Sequence, residues 1–273
     1  MTANGGCADA ELGFSRKEMF SEALAGTAKA EFSRHVFVAW GKASEWPAEM
    51  PDECPDGSFP KVIAKAVQTA AKAGGGGKVK LTFVEASAEF AETDVLLFPD
   101  YRRIRQCRPG SSSLASLEAL LSKKQEGPPP SADIEDLQGA FAFVCSHMKR
   151  DGRCGHCSPA LVGALQGTEG LRVLKCSHVG GHKFAGNIIT FAGKGTKADG
   201  NWYGYVTPES ARAVVAGREF HGPLWRGRLG LSEAAALRER RNKRIMDALP
   251  IVAAGVAVAV AAVLAFRLRR REK

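Results

Sequence analysis

A strand–helix–strand pattern in the second half of the chain constrains the fold more than any other feature. GAFAFVCSH (139–147) and LRVLKCS (171–177) are short runs rich in Val, Leu and Phe, and a helix is predicted between them at Ser158–Gln166. Such runs indicate buried strands, and their alternation with helices is typical of an open α/β sheet. The first strand ends at Cys145, at the sheet edge where open α/β folds bind ligands.

The same alternation occupies the first half, so the chain is predicted to be an α/β protein with two small open-sheet domains. Strands are predicted at RHVFVAWG, KVKLTFVEA and DVLLFP, and helix-forming composition predicts a helix at residues 16–31. EGPPPSAD (126–133) has the composition of a linker, because clustered prolines interrupt helices and strands. The predicted domains are residues 10–125 and residues 134–230.

The C-terminal segment carries most of the positive charge. The net charge is +9 overall, but residues 238–273 contain ten Lys or Arg and three Asp or Glu. The remainder, with 28 basic and 26 acidic side chains, is nearly neutral. A groove for nucleic acid needs a concentrated basic surface, so this composition argues against DNA or RNA as a partner.

Leu249–Phe266 is an 18-residue stretch without a charged side chain, flanked by RERRNKR and RLRRREK. The length and the basic flanks predict a transmembrane helix that anchors the C terminus, preceded by a basic helical linker at residues 231–247. We expect the body of the protein in the cytosol, on the outer surface of a mitochondrion, plastid or peroxisome. The alternative is a buried core helix, because alanine dominates the stretch.

Cysteine and histidine are concentrated in residues 145–187, which contain four of the seven cysteines and four of the six histidines. These residues are Cys145, Cys154, Cys157 and Cys176, and His147, His156, His178 and His182. The N terminus has no apolar signal-sequence core, which favours a reducing compartment, where clustered cysteines are more often ligands or redox groups than disulfides. Because thiol and imidazole groups bind transition metals, the pattern predicts a metal or redox site.

Four separated strings resemble the sucrase/ferredoxin-like family, the thioredoxin-like [2Fe–2S] ferredoxins. They are CSHMKRDGRCGHCSP (145–159), CSHVGGHKFAGN (176–187), GNWYGYVTPE (200–209) and LWRG (224–227). The resemblance extends over residues 10–230 and implies that the second domain is thioredoxin-like. It implies no sucrase activity, since no paired-carboxylate motif for glycoside hydrolysis can be identified.

The resemblance also implies a [2Fe–2S] cluster bound by two cysteines and two histidines. On the matching positions these are Cys145 and Cys154, from C-x8-C, and His178 and His182, from H-x-G-G-H. Imidazole ligands leave a cluster less negative and raise its reduction potential, as in Rieske centres. The implied function is one-electron transfer between an unidentified reductase and acceptor, rather than conversion of a substrate. Cys154 is expected in the loop after the first strand.

Two other functions would use the same residues. Cys154 and Cys157 form a Cys-x-x-Cys motif, which could act as a dithiol–disulfide oxidoreductase without a metal. Cys145, Cys154, His178 and His182 are also a tetrahedral zinc set, which would make the protein a zinc-stabilised adaptor.

The turn after the first strand has further polar residues. His147 and His156 are interpreted as solvated loop histidines, with metal binding as the alternative. Arg150, Asp151 and Arg153 either hydrogen-bond to the cluster or form a solvated charged turn.

Residues around the histidine pair are predicted to support it. Gly180 and Gly181 lie between the two histidines and allow the backbone to turn tightly or to approach a cofactor. Lys183 and Asn187 are expected to fix the backbone of the pair, and Cys176 is expected to pack in the core.

Overall fold

The computed structural model describes residues 5–74, 78–122, 133–196 and 199–250. The strands of these residues are β1 Arg34–Ala39, β2 Val79–Val84, β3 Val95–Phe98, β4 Arg102–Ile104, β5 Ile134–Asp136, β6 Ala140–Cys145, β7 Leu171–Cys176, β8 Ile188–Phe191, β9 Asn201–Tyr203 and β10 Trp225–Arg228. The helices are α1 Gly5–Leu12, α2 Phe59–Ala73, α3 Ser112–Ser122, α4 Gly152–Leu165 and α5 Pro208–Val215, with a 3-10 turn at His182–Phe184. Residues 233–250 form a further helix, α6.

The described strands form one mixed sheet in the order β10-β9-β8-β6-β7-β2-β1-β3-β4-β5. Both halves have the same topology: β1 is parallel to β2 and antiparallel to β3, and β6 is parallel to β7 and antiparallel to β8. The halves meet where β2 and β7 run antiparallel, with Val84 opposite Cys176. The prediction of two separate open sheets is therefore wrong. Pairing between β2 and β7 satisfies backbone groups that two separate sheets would expose at their edges.

A layer of phenylalanines also joins the halves. Phe37 of β1 stacks on Phe143 of β6 with ring centroids 3.7 Å apart, and Phe98 of β3 stacks on Phe191 of β8 at 4.1 Å. All four side chains are fully buried. Aromatic pairs contribute about 0.5–1.5 kcal/mol each beyond the burial of their area. The two halves thus share part of one hydrophobic core.

The segment before β1 packs on the second half of the chain. Residues 16–31 form turns and not the predicted helix. Gly26 and Lys29 have positive φ angles, and the N–H groups of Gly26 and Ala28 donate to the carbonyl of Arg226 at 2.8 and 3.3 Å. These hydrogen bonds to β10 replace helical ones, so tertiary contacts override the helix-forming composition.

Helix α6 does not have the composition of a membrane span. It carries charged side chains along its length, among them Arg238, Arg241 and Arg244, which a bilayer core does not accommodate. None of the helices in the described part of the chain is long and apolar enough to cross a membrane. Residues 251–266 of the predicted span lie outside the described residues. The prediction of a C-terminal transmembrane helix is therefore not supported.

Candidate metal centre

Two cysteines of the predicted site are positioned by β6 and α4. Cys145 is the last residue of β6. Helix α4 begins at Gly152, six residues earlier than predicted, because Asp151 caps it by accepting a hydrogen bond from the N–H of Arg153 at 3.0 Å. Cys154 therefore lies in the first turn of a helix and not in a loop. Both thiols are buried.

The predicted histidine pair lies on a loop after β7, residues 178–182, called the histidine loop below. Arg226 Nη1 donates to the carbonyl of Gly180 at 3.0 Å, and Asn187 Nδ2 donates to the carbonyl of Gly181 at 3.0 Å, as predicted for Asn187. Arg226 also donates to Asn187 Oδ1 at 2.7 Å. Gly181 has a φ of +70°, and a Cβ there would collide with the guanidinium of Arg226. Conformation and space both require glycine at this position.

Cys145, Cys154 and His178 form a group that could hold a metal ion. One ligand atom from each residue lies within 4.8 Å of the other two. The Nδ1 atom of His178 is buried and has no hydrogen-bond partner among the described residues. A buried ring nitrogen without a partner is unfavourable, and two sulfurs with an imidazole are a donor set suited to transition metals. The structure thus contains a possible Cys/Cys/His metal site.

His182 lies beside this group, at its exposed rim. Its ring centroid is 5.6 Å from that of His178. Its Nδ1 is 3.8 Å from Asp151 Oδ2, and its side chain is 49% exposed. The structure therefore places the fourth predicted residue beside His178 and outside the three-residue group. Its imidazole is open to solvent, whereas the two sulfurs are buried.

The two thiols of the group differ in acidity. A hydrogen bond from Cys154 lowers the pKa of Cys145 well below its usual value against the opposing effect of burial, and His178 and the N–H of Val179 lower it further. The same hydrogen bond, together with burial, raises the pKa of Cys154. Cys145 is therefore the thiol that ionises first, and the thiolate is the form that binds metals. Burial raises the pKa of Cys176, which lies opposite Cys145 and outside the metal group.

His147 holds the backbone of the metal-site histidine. Its Nδ1 accepts a hydrogen bond from the N–H of His178 at 3.3 Å, and its Nε2 donates to the carbonyl of Pro47 at 2.8 Å. The side chain is 1% exposed, and burial lowers its pKa, which favours the neutral ring that this pair of bonds requires. The interpretation of His147 as a solvated histidine is therefore wrong. The sequence signal for this role was its position two residues beyond Cys145.

The charged residues of the turn after β6 have partners within the protein. Arg150 pairs with Glu49, and Arg153 pairs with Asp151 at 2.9 Å. His156 lies on α4 with its side chain 35% exposed, outside the three-residue metal group. The turn therefore begins α4 and is held by ion pairs. Among its charged residues, Asp151 lies nearest to the site.

Cys157 lies under the N-terminal segment. Its Sγ is 3.5 Å from the carbonyl of Leu12 and 3.6 Å from Nη1 of Arg16. Arg16, which lies outside every motif of the sequence, is buried and also donates to the carbonyl of Ala185, close to the histidine loop. Burial raises the pKa of Cys157, as it does that of Cys154. A dithiol mechanism needs an accessible thiolate, so this arrangement disfavours it.

Comparison with known proteins gives a family match over most of the chain. The family model described as sucrase/ferredoxin-like matches residues 24–227. The chain belongs to the sucrase/ferredoxin-like family. No solved structure matches it significantly.

Curated proteins similar to this sucrase/ferredoxin-like chain are named Altered inheritance of mitochondria protein 32. The one from Debaryomyces hansenii is 38% identical over 86 residues, which are 30% of this chain and 31% of the relative. The one from Candida glabrata is 37% identical over 86 residues, 28% of this chain and 27% of the relative. The one from Kluyveromyces lactis is 35% identical over 95 residues, 31% of this chain and 30% of the relative. The chain thus spans about a third of the length of the curated relatives it matches.

These findings correct the function that the resemblance implied. The relatives are named for the inheritance of mitochondria and not as [2Fe–2S] electron carriers. No helix of the described residues can span a membrane, so neither the membrane partner nor the tail anchor is supported. The interpretation as a membrane-anchored one-electron carrier with a reductase and an acceptor is therefore wrong. Of the predicted localisation, the mitochondrial part is consistent with the name of the relatives.

Proposed function

We propose that this sucrase/ferredoxin-like protein is a metal-cofactor protein of mitochondrial inheritance, with a [2Fe–2S] cluster bound by Cys145, Cys154, His178 and His182. The observation that carries the proposal is the convergence of ligand atoms from the first three residues within 4.8 Å. The name of the relatives supports the mitochondrial part.

The residues present fit this cofactor. The low pKa of Cys145 favours the thiolate, and the buried Nδ1 of His178 has no partner in the described part of the chain. His182 presents a half-exposed imidazole next to them. When bound through two thiolates and two imidazoles, a [2Fe–2S] cluster is less negatively charged and has a higher reduction potential than one bound through four thiolates.

The protein positions the histidine ligands through their backbone. Arg226 and Asn187 bind the carbonyls of Gly180 and Gly181, and His147 accepts the N–H of the first ligand histidine. These bonds come from three separate parts of the chain, so the loop conformation is set before any metal binds. Preorganisation of this kind lowers the conformational cost of binding.

The surroundings of the ligands differ between the sulfur side and the histidine side. Cys145 and Cys154 are at most 1% exposed, so water is excluded from the sulfurs. His182 is at the surface, where the carboxylate of Asp151 lies 3.8 Å from its Nδ1. A carboxylate beside a ligand imidazole helps to orient the ring.

Zinc is the second candidate for the occupant, because two cysteines and two histidines are also a tetrahedral zinc set and three of their ligand atoms converge. Zinc binds sulfur at about 2.3 Å and nitrogen at about 2.0–2.1 Å, so neighbouring ligand atoms of one tetrahedral ion lie about 3.3–3.8 Å apart. The ligand atoms of the group lie within 4.8 Å of one another, a separation that small side-chain movements would bring into the range of a single ion. A structural zinc ion would stabilise the fold and would leave the protein colourless.

Metal and sulfide analysis of the full chain, purified without oxygen, distinguishes the two occupants. The proposal expects about two iron and two sulfide per chain and a coloured protein. His182→Ala should shift the visible spectrum, whereas His156→Ala on the exposed side of α4 should not. A colourless protein with one zinc would establish the second candidate. Failure to bind either metal, also after reconstitution with iron and sulfide, would refute the metal centre.

A cell-based test addresses the mitochondrial part separately. In Kluyveromyces lactis cells that lack their own relative, the full chain should restore normal mitochondrial inheritance, and Cys145→Ser at the same protein level should not. Equal restoration by both proteins would show that the metal centre is dispensable for this function. A fluorescent fusion that restores nothing and avoids mitochondria would refute the mitochondrial part.

A further inference from the structure

A cavity of about 530 Å³ lies beside the histidine loop. Its walls include residues 179–181 of that loop, residues 26–29 of the segment before β1, and Lys80 of β2. Sites for small molecules commonly have volumes of about 300–1,000 Å³. The cavity is therefore large enough for a metabolite, and it shares one wall with the candidate metal centre.

The lining of this cavity is strongly cationic. Its charged side chains are Lys29, Lys80, Lys183 and Arg226, with Glu233 as the single carboxylate among the described lining residues. Lys183 pairs with Glu22 at 2.7 Å. Arg226 donates to the carbonyls of Gly180 and Thr27 and to Asn187. The charges of these two residues are thus already engaged by protein groups.

Lys80 and Lys29 remain without a carboxylate partner in the described part of the chain. The ammonium of Lys80 instead lies 5.5 Å from the ring centroid of Phe32 and 5.8 Å from that of Trp202. Its side chain is only partly exposed. The aromatic rings attract the ammonium, but partial burial still costs it hydration, and a negatively charged ligand would offset that loss.

We infer that this cavity binds a small molecule that carries two or more carboxylate or phosphate groups. Four cationic side chains against one carboxylate in the lining favour a ligand with more than one negative charge. The volume of the half-open cavity suits a small molecule, and the backbone of residues 179–181 would be in contact with it. The inference does not depend on which metal the neighbouring site holds.

Isothermal titration calorimetry of the full chain at low ionic strength tests the site, with pyrophosphate and citrate as probes. At least one probe should bind saturably, and added salt should weaken the binding. Lys80→Met keeps the length of the side chain and removes its charge, so it should weaken binding about tenfold or more. Lys29→Met, at an exposed position, should act in the same direction. Lys72→Met, at an exposed position of α2 outside the cavity, is the matched control and should leave binding unchanged.

The outcomes separate the ligand classes and the rival explanation. Preference for pyrophosphate would indicate phosphate-bearing ligands, and preference for citrate would indicate polycarboxylates. No saturable binding of either probe would overturn the inference, as would equal weakening by Lys80→Met and Lys72→Met. Binding of poly-glutamate alone would indicate an acidic protein partner and would also overturn it. Circular dichroism checks that each variant is folded. If Lys80→Met does not fold, the effect of Lys29→Met on binding provides the test.

Discussion

Replacing Arg226 by methionine tests whether a buried guanidinium holds the histidine loop in place. The side chain is 1% exposed and donates to Asn187 Oδ1 at 2.7 Å and to the carbonyls of Thr27 and Gly180 at 2.8 and 3.0 Å. Asn187 is also 1% exposed, so water cannot replace the lost donor. An unsatisfied buried acceptor costs about 1–3 kcal/mol, and the two more accessible carbonyls add about 0.5–1.5 kcal/mol each.

One effect opposes this loss. Burial lowers the pKa of Arg226 to about 10, which shows that the guanidinium is unfavourably desolvated, and methionine removes that penalty. We therefore expect the lower part of the range, a decrease of about 2–3 kcal/mol in the free energy of unfolding. Urea unfolding followed by circular dichroism measures it. Metal content per chain should fall in the same variant, because the loop that carries two ligands loses its support.

The matched control is Arg228→Met on the same strand. Arg228 pairs with Glu239 at 3.2 Å, and both side chains are about a third exposed. Exposed ion pairs contribute about 0–1 kcal/mol, so this variant should be nearly as stable as the wild type. If the free energies of unfolding of Arg226→Met and Arg228→Met differ by less than about 1 kcal/mol, the argument from buried hydrogen bonds is refuted.

Two further perturbations test other parts of the site, and a third tests a partly buried carboxyl group elsewhere in the fold, Asp199, which accepts hydrogen bonds from Tyr101 and from the N–H of Ala192. Gly181→Ala should destabilise the protein by about 2 kcal/mol or more, because the added Cβ meets a guanidinium at a φ of +70°. Gly180→Ala, where a Cβ would meet nothing within 4 Å, should cost about 1 kcal/mol; equal melting temperatures would contradict the steric argument. His147→Ala should lower metal affinity about tenfold or more in competition with a chelator, because it releases the backbone of a ligand, whereas His156→Ala should not; equal losses would count against this role. Burial raises the pKa of Asp199, so its contribution to stability is complete below the ordinary carboxyl pKa and is lost as pH rises through the raised one. In urea unfolding across that pH interval, the free energy of unfolding should fall less steeply with pH for Asp199→Asn than for the wild type. An unchanged pH dependence would refute the raised pKa of Asp199.

The strands that carry the site could be predicted because their signal is local. GAFAFVCSH and LRVLKCS contain β6 and β7, and the first ends at Cys145 as expected. The beginning of α4 was predicted too late, since Ser158-Pro159 looked like a helix start while Asp151 is the actual cap. Residues 16–31 have helical composition, but their backbone bonds to a strand about 200 residues away. Local propensity is too weak to decide such cases.

Asn187 was predicted to support the site, but the roles of its other supporting residues could not be assigned from the sequence. His147 looked like one of several loop histidines, yet it is buried and accepts the N–H of His178. Arg226 stood in a family-like string without an assigned role, although it binds the histidine loop. Arg16 is buried against Cys157 from the opposite end of the chain. Each of these contacts joins residues that lie far apart in the sequence, and hydrophobic periodicity does not record them.

By itself, the sequence determined the α/β class, the strands that end at the site, and the set of cysteines and histidines available there. Periodicity and residue chemistry act over a few neighbouring positions, so they are legible without a structure. Only the tertiary structure decided that the two halves share one sheet, with Val84 opposite Cys176. It also decided that Cys145, Cys154 and His178 converge and that a cationic cavity lies beside them. Those properties depend on burial and on contacts between distant segments, which form only when the whole chain folds.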